Sequence, residues 1–416
     1  MYKKVLVVNG QRLNLKRCGG AGRYGEQLYK RIIDPSKVKE LSGFDVFLPG
    51  FQEIDIDASV SSQDQRKTAD LIKHIVYRCC PPIIFDRLQQ VYQYTNQLVP
   101  SESGTEKDNT SFYPPWFSPS IPTLLHELTN YGMIDGIGRL SLSSNVRLAV
   151  TFLDIQDFYY PEYFQDASLS KRRLAYSYYK DRADFFFAIS EFTKQTMVDR
   201  LNISPERIKV TPLAADDMLI IESSQEVDRW VESFGRYLIY PAKVWKHKNH
   251  EFLLKVVGKR RNELKRTGIK LLLTGGFSKN DFDHLEKIIR DNSLQDIVLL
   301  LGFVSDEQLQ TLLRRAEFLV FPSLFEGFGM PILEAMTLGC PVLSSNAGSL
   351  PEVGGDAALY FDPKNEDEFV ALIDSILTDV GVDRDSMIQK GFKNCKRFSW
   401  DKTYRETLDV YKELLR

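Results

Sequence analysis

Short apolar runs alternate with longer amphipathic segments along most of the chain. Strand-like runs, rich in β-branched and aromatic residues, lie at 3–9, 44–49, 146–153, 185–189, 236–242, 269–275, 296–302, 317–322 and 340–345. Helical periodicity is clearest at 251–266, 280–292, 305–315 and 366–378. Strands that alternate with helices predict parallel sheets covered by helices, which is an α/β architecture.

The length of the chain indicates two domains. A chain of 416 residues is long for one domain and suits two domains of about 200 residues each. The polar, acidic stretch 222–233 is predicted to be the linker between them, and the turn-rich stretch 100–111 is predicted to be a surface loop.

Composition and charge are those of a soluble globular protein, and the cysteine usage predicts a location in the cytoplasm. The formal net charge of −2 argues against a general nucleic-acid binder. The longest apolar run, 297-IVLLLGFV-304, is far below the roughly 20 residues that cross a bilayer, and the N-terminal run is too short for a signal peptide. The five cysteines show no C-x-x-C spacing, so we expect reduced thiols and no thiolate metal site.

The stretch 20-GAGRYG-25 has the G-x-G-x-x-G pattern of a dinucleotide-binding turn. It begins about eleven residues after the first strand, and the next strand ends without the carboxylate that holds a ribose, so the dinucleotide interpretation fails. Gly19, Gly20 and Gly22 are predicted to form a loop before a helix at about 23–33, whose free N–H groups could hold an anion. An ordinary glycine turn is the alternative.

A second glycine-rich stretch, 321-FPSLFEGFGMPILEAM-336, carries the strongest signal. A buried strand ends at Pro322, and Pro331 opens a helix. Gly327 and Gly329 allow a ligand to approach the backbone, and the helix directs its positive end to the same place. Two acids, Glu326 in the loop and Glu334 in the helix, flank this turn, which predicts a binding site for a phosphate-bearing ligand; a helix cap with solvated acids is the alternative.

The Glu326…Glu334 spacing is the E-x7-E motif of glycosyltransferase family 4 (glycosyl transferases group 1), the retaining enzymes of GT-B fold, and the chain resembles that family. The resemblance extends to 187-FAISEFTKQTM-197, 240-YPAKVWKHKNHEFLLK-255, 300-LLGFVSDEQL-309 and 398-FSWDKTYRETLDVY-411, and more weakly to 19-GGAGRYGEQL-28 and 151-TFLDIQDFYYPEYF-164. It implies two Rossmann-like parallel-sheet domains facing across a cleft. These are an acceptor-side domain at 1–221, to which a helix at 400–416 returns, and a nucleotide-sugar-binding domain at 235–399.

The resemblance also implies roles for individual residues. Glu334 would hold the ribose, Glu326 would contact donor-sugar hydroxyls near the anomeric centre, and Val304 would meet the base through its backbone. The implied catalytic residues are Glu326, Lys248 and Asp154. The other implied donor-binding residues, which share contacts with the diphosphate or the sugar, are Gly20, Gly22, Lys243, Lys248, Leu153, Gly327, Phe328, Gly329 and Met330. Lys243 stands where the family commonly has arginine.

The resulting hypothesis is a retaining hexosyltransferase that uses no cofactor and no metal. It would move a hexosyl or 6-deoxyhexosyl group from a GDP-, UDP- or dTDP-sugar to a glycan or lipid-linked glycan, as in O-antigen or capsule assembly. Two ammonium groups and helix-end N–H groups can stabilise a leaving diphosphate without a metal. The D-x-D pairs Asp55–Asp57, Asp281–Asp283 and Asp383–Asp385 are interpreted as accidental, and His247 and His250 as framing Lys248 rather than binding zinc.

The segment 171-KRRLAYSYYKDR-182 mixes basic and aromatic residues on a predicted helix. It could contact the inner face of an anionic membrane, although an ordinary surface helix with its aromatic residues in the core is favoured. The poorly matching region 51–145 is expected to carry acceptor choice. Two alternative functions are a nucleotide-sugar 2-epimerase of related fold and a non-catalytic partner subunit.

One departure from the family concerns the donor sugar. Family members often have histidine where this chain has Leu153, and in the family that histidine reaches the sugar near its 6-hydroxyl. Leucine cannot form that hydrogen bond, whereas a methyl group at C6 gains apolar contact. This favours a 6-deoxy donor such as rhamnose or fucose; the alternative is that Leu153 only ends a buried strand.

Overall fold

The structure is a computed structural model that describes residues 4–9, 20–34, 44–47, 123–127, 146–216, 218, 220–378 and 380–416. The described residues form two compact units. The first comprises 1–150, 174–184 and 410–416, and the second comprises 151–173 and 185–409. The predicted loop at 100–111, Asp55 and Asp57, and most of the region 51–145 lie outside the described residues.

The first unit contains parallel strands. The strands from the first half of the chain are β1 Lys4–Asn9, β2 Phe44–Phe47, β3 Thr123–Glu127 and β4 Val146–Phe152. Strand β1 pairs in parallel with β2 on one side and with β3 on the other, and β3 pairs in parallel with β4. The helices are α1 Gly20–Ile33 and α2 Asp166–Arg182, of which α2 belongs to this unit from Leu174 onward. Tyr176 and Tyr179 of α2 are buried, as expected for a surface helix that packs its aromatic residues inward.

The second unit has a six-stranded parallel sheet. Its strands are β7 Arg236–Pro241, β8 Ile269–Thr274, β9 Val298–Gly302, β10 Phe318–Phe321, β11 Val342–Ser345 and β12 Ala358–Phe361. Their order across the sheet is β12-β11-β10-β7-β8-β9, the doubly wound Rossmann order, in which the strand order reverses between the parallel neighbours β7 and β10. The short strands β5 Phe185–Ala188 and β6 Ile208–Val210 also belong to this unit and pair in parallel.

Helices connect these strands. They are α3 Glu191–Leu201, α4 Gln225–Glu232, α5 His250–Lys259, α6 Arg261–Thr267, α7 Lys279–Asp291, α8 Asp306–Arg315, α9 Met330–Thr337, α10 Leu350–Gly354, α11 Glu366–Thr378, α12 Arg384–Cys395 and α13 Trp400–Leu414. Every residue of β10 and β11 is buried, and β10 therefore reads as a continuous apolar run rather than as an alternating pattern. Within the part of the chain that is described, no helix is long and apolar enough to cross a membrane.

Two predicted helices have different boundaries in the structure, and three strands were not predicted. Helix α1 begins at Gly20, so Gly20 and Gly22 lie in its first turn and not in a loop before position 23. The helix predicted at 251–266 is two helices in the structure. Arg260 lies between them, after the end of α5 and before the start of α6. Strands β3, β6 and β12 were not predicted; β6 has only three residues, which is too short for a periodic signal.

The predicted linker at 222–233 contains a helix, α4. Ser224 accepts a hydrogen bond from the Val227 N–H and so caps its start. Arg315 of α8 forms ion pairs with Asp228 and Glu232 at 2.9 and 2.8 Å. The stretch was predicted to be a linker because most of its residues are polar. In the structure this polar segment forms α4, which packs on α8 within the second unit.

Candidate active site

The ammonium group of Lys248 lies 2.5 Å from Oε1 of Glu326, and each side chain is only 14% exposed. Lys248 ends a 3-10 turn that follows β7, and Glu326 lies in the loop that follows β10. Because β7 and β10 are neighbours at the point where the sheet order reverses, their carboxyl ends open at one crevice. This is the place where doubly wound sheets bind ligands.

The Glu326 carboxylate is ionised at neutral pH. Burial is the largest single influence and raises the pKa of this carboxyl, but the charge and hydrogen bond of Lys248 and the nearby His247 together bring the pKa below the ordinary value of glutamate. His247 lies in the same turn, and burial lowers the pKa of its imidazole to about 4. The crevice therefore holds one anion and one cation beside a neutral imidazole.

Hydrogen bonds fix the turn that carries Lys248. The buried Tyr240 hydroxyl donates to the carbonyl oxygen of Lys248 at 2.6 Å. The Leu324 N–H donates to the carbonyl oxygen of His247 at 2.7 Å, which ties this turn to the loop of Glu326. Asn249 has a left-handed backbone with φ of 62° and donates its side-chain amide to the carbonyl oxygen of Pro322 at 3.2 Å. The 3-10 turn is thus held against the end of β10.

The glycines of the loop are required by close packing. A Cβ on Gly327 would collide with the carbonyl oxygen of Leu153. Gly329 has φ of +113°, and a Cβ there would meet Cδ2 of Leu350 at 2.6 Å. Helix α9 begins at the next residue, with Pro331 in its first turn. The loop therefore presents backbone N–H groups and a helix N-terminus beside Glu326.

Several of the residues implied by the family resemblance lie at this loop. The Leu153 backbone contacts Gly327, and the Leu153 side chain is buried. The neighbouring Asp154 accepts a hydrogen bond from the Gln156 N–H at 3.1 Å. Phe328 and Met330 are buried, and Glu334 is half-buried on α9.

The remaining implied residues lie on other elements. Lys243 is exposed on the loop after β7, with its ammonium 5.3 Å from the ring centre of Trp245. Val304 follows β9 and is half-buried. Gly20 and Gly22 lie in α1, which belongs to the first unit. Their assignment to the donor stays a prediction.

Three hydroxyl residues hold the loop and were not predicted from the sequence to do so. Ser190 and Thr193 donate to the carbonyl oxygen of Gly327 at 2.7 and 3.2 Å. The buried Ser349 lies within hydrogen-bond distance of two further loop carbonyls, 3.0 Å from that of Glu326 and 2.7 Å from that of Phe328. The one local signal was the position of Ser190, which caps α3 by accepting a hydrogen bond from the Thr193 N–H.

The two D-x-D pairs that the structure describes include residues with structural roles. Asp281 forms a capping box with Ser278 at the start of α7. Asp383 caps α12 by accepting a hydrogen bond from the Ser386 N–H. Among the described residues, no group of three or more histidine, cysteine or acidic side chains is arranged to hold a metal ion.

The two parallel-sheet α/β units, the second with a glycine loop at its switch point, have the architecture of the GT-B fold. The fold of HepE from Anabaena, solved in complex with UDP and glucose, matches this chain with a TM-score of 0.64 at 16% identity, over 99% of this chain and 100% of that one. Residues 226–394, which lie within the second unit, match the family described as glycosyl transferases group 1.

Curated relatives agree with this family. The chain is similar to O-antigen chain mannosyltransferase B of Escherichia coli, with 28% identity over 95% of this chain and 96% of the relative. It is also similar to MMP alpha-(1->4)-mannosyltransferase of Mycolicibacterium hassiacum, with 30% identity over 55% of this chain and 53% of that relative. The first match extends along nearly all of both chains and therefore includes the first unit.

Proposed function

We propose that this glycosyltransferase is a retaining, metal-independent enzyme of family 4. It transfers a hexosyl or 6-deoxyhexosyl group from a nucleotide-diphospho-sugar to a glycan or lipid-linked glycan during assembly of a surface polysaccharide. The observation that carries the proposal is the Lys248–Glu326 pair, 2.5 Å apart at the switch point of the second sheet.

The pair suits departure of a nucleoside diphosphate. An ammonium has three N–H donors, so Lys248 can hold Glu326 with one donor and phosphate oxygens with the others. Negative charge that develops on the leaving diphosphate is stabilised by Lys248, by Lys243 and by the N–H groups at the start of α9. The Glu326 carboxylate, ionised at neutral pH, stabilises the oxocarbenium-like charge on the sugar ring.

The other implied residues complete the donor site in this proposal. Glu334 binds the ribose hydroxyls, the backbone around Val304 meets the base, and the backbone from Gly327 to Met330 contacts sugar and phosphate. Gly20 and Gly22 contact the diphosphate from the first unit. Asp154 lies at the Gly327 end of the loop, where it can orient the sugar.

The names of the relatives support the donor and acceptor classes. Two similar proteins are mannosyltransferases, and one of these acts on an O-antigen chain. A mannosyl donor is therefore the first hexosyl candidate, and a growing surface glycan is the acceptor that we propose. The similar fold of HepE was solved with UDP and glucose, which supports a nucleotide-sugar as the co-substrate.

A panel assay tests the proposal. The protein is incubated with GDP-, UDP- and dTDP-sugars, with and without glycan acceptors, and released nucleoside diphosphate is measured. The anomeric configuration of the product is read by proton NMR. We expect acceptor-dependent release from at least one donor, with an α product from an α donor. A product with the anomeric configuration opposite to that of its donor contradicts the retaining mechanism, and a 2-epimerised nucleotide-sugar identifies an epimerase.

A chelation experiment tests the absence of a metal requirement. We expect turnover to be unchanged after incubation with EDTA, because Lys248, Lys243 and the helix end supply the positive charge. Loss of turnover that added Mg²⁺ or Mn²⁺ restores contradicts metal independence.

A further inference from the structure

The start of helix α3 is held by a carboxylate that comes from a distant part of the chain. Oε1 of Glu352 accepts a hydrogen bond from the Glu191 N–H at 2.8 Å, and Oε2 accepts one from the Phe192 N–H at 3.1 Å. These N–H groups have no acceptor within the helix, and a negative charge at this end is favourable. Glu352 therefore fixes the position and direction of the first turn of α3.

The same turn of α3 holds the loop that bears Glu326. Ser190, the residue just before α3, donates to the Gly327 carbonyl oxygen at 2.7 Å. Thr193 donates to the same oxygen at 3.2 Å. The carbonyl next to Glu326 is thus bound by two hydroxyl groups from the turn that Glu352 caps.

Glu352 and the loop are also connected from the other side. Ser349, which directly precedes α10, is within hydrogen-bond distance of the carbonyl oxygens of Glu326 and Phe328 at 3.0 and 2.7 Å. Gly348 has φ of +62°, and a Cβ there would meet the Glu326 carbonyl oxygen at 2.6 Å. Three consecutive loop carbonyls are therefore held by two elements, α3 and the segment before α10, and Glu352 joins those elements.

We propose that Glu352 is a positioning residue for sugar transfer. It fixes the position of the Glu326 carboxylate by holding the first turn of α3 against the Gly327 carbonyl. The inference rests on the proposed function of Glu326, because it says which group orients that carboxylate. Catalysis depends on placement of the reacting groups, and a displacement of about 1 Å can lower a rate by about 100-fold.

The groups around Glu352 determine the pH at which its hydrogen bonds to the start of α3 weaken. Burial raises the pKa of Glu352, although the N–H groups of Glu191 and Phe192 act in the opposite direction. The Glu191 carboxylate also raises this pKa, and Arg397 lowers it. As the pH falls through the raised pKa, protonation removes the charge that binds α3. Glu326 has a lowered pKa and is protonated only at lower pH, so the two groups titrate separately.

Two substitutions and a matched control test the proposal. Glu352→Ala removes both acceptors, and Glu352→Gln keeps the size and one acceptor oxygen in case the alanine variant folds poorly. Glu307 provides the control, because its Oε1 accepts the Ser224 N–H at 2.7 Å just before α4, and neither α4 nor α8 is one of the two elements that hold the loop of Glu326. Glu307→Ala therefore removes the same kind of contact elsewhere.

We expect Glu352→Ala to lower kcat by about 10- to 100-fold. Its affinity for nucleoside diphosphate, measured by calorimetry, should stay within about threefold, since both lost hydrogen bonds lie outside the proposed nucleotide site. The acid inflection in kcat that belongs to Glu352 should be absent from Glu352→Gln. The kcat of Glu307→Ala should equal that of the native enzyme. A Glu352→Ala variant with native kcat, or a Glu352→Gln variant that keeps the upper acid inflection at its native pH, overturns the proposal.

Hydrogen exchange separates this inference from the proposed function. In Glu352→Ala without substrate, we expect faster exchange in α3 and in the loop 326–330, and in neither segment for Glu307→Ala. Unchanged exchange in the loop contradicts the positioning role. If the native protein transfers no sugar from any donor but the loop still responds to Glu352→Ala, the proposed function fails while the structural coupling stands.

Discussion

The carbonyl oxygen of Leu153 occupies the space in which a side chain on residue 327 would begin. Gly327 therefore packs its Cα directly against the end of β4. The contact places the loop of Glu326 beside the turn that begins at Leu153 and continues through Asp154. The position of this loop depends on the absence of a side chain at residue 327.

Gly327→Ala tests that contact. We expect the variant to lose roughly 1–3 kcal/mol of unfolding free energy, because the added methyl group forces the backbone apart. Turnover should fall as well, since the displaced residue adjoins Glu326. Urea unfolding and steady-state kinetics measure the two effects.

Gly258→Ala is the matched control for this substitution. Gly258 lies in α5, where an added Cβ meets only Cδ2 of Leu294 at 3.9 Å. Alanine should be neutral there or should stabilise the helix by about 0.5–1 kcal/mol. Equal stability of the Gly327→Ala and Gly258→Ala proteins would show that the Leu153 contact is not tight.

Glu326→Ala should separate catalysis from nucleotide binding. We expect turnover to fall by about 10²–10³-fold, because the carboxylate stabilises charge on the sugar in the transition state. Affinity for nucleoside diphosphate should stay near the native value. Glu366→Ala is the control, because Glu366 pairs with Lys255 at 2.5 Å on an exposed surface. Native turnover of Glu326→Ala would remove this residue from the mechanism.

Glu334→Ala should give the opposite result. If Glu334 binds the ribose, its loss removes a charge-assisted hydrogen bond, and nucleoside diphosphate should bind with about 10- to 100-fold lower affinity. Isothermal calorimetry measures this change directly. An unchanged dissociation constant would contradict the ribose assignment.

The titration of Glu326 should depend on Lys248. The lowered pKa means that the stability contributed by the Lys248–Glu326 pair is present above the unfolded pKa of glutamate and is lost as the pH falls through the folded pKa. In Lys248→Met the opposing charge is gone and burial dominates, so the pKa should rise above the ordinary value of about 4.3. Carbon-13 NMR of the carboxyl group follows the change. Lys255→Met is the control and should leave the pKa of Glu326 unchanged.

The sequence predicted elements that depend on local pattern. Strands such as β10 were recognisable because four consecutive buried residues leave an unbroken apolar run. The loop with Glu326 and the helix at Pro331 were likewise predicted from neighbouring residues. Strand β6, with three residues, gave no periodic signal.

The contacts that hold the site in place could not be predicted in the same way. Ser190 and Gly327 are 137 residues apart, and Glu191 and Glu352 are 161 residues apart. No spacing rule relates such positions, because the pairing arises only when the sheet order brings their elements together. The glycines at 327 and 329 were attributed to ligand approach, whereas the structure shows that neighbouring protein atoms also exclude a side chain there.

Leu153 bears on the choice of donor sugar. Its side chain is 5% exposed and cannot form a hydrogen bond, so a 6-hydroxyl that faces it without another partner costs roughly 1–3 kcal/mol. A methyl group at C6 carries no such cost. We therefore expect the native enzyme to use a 6-deoxy donor at least as well as its hydroxylated counterpart, with GDP-rhamnose and GDP-mannose as the first pair to compare by kcat/KM.

Leu153→His provides the reciprocal test. Histidine at this position supplies a donor or acceptor for the 6-hydroxyl, so the ratio of kcat/KM for GDP-mannose over GDP-rhamnose should rise by about tenfold or more, which corresponds to one hydrogen bond of about 1.4 kcal/mol. Leu153→Met keeps an apolar side chain of similar volume and should leave the ratio unchanged. A native enzyme that prefers the hydroxylated donor by tenfold or more, or a ratio that does not respond to histidine, shows that Leu153 does not face C6 and only completes the packing at the end of β4.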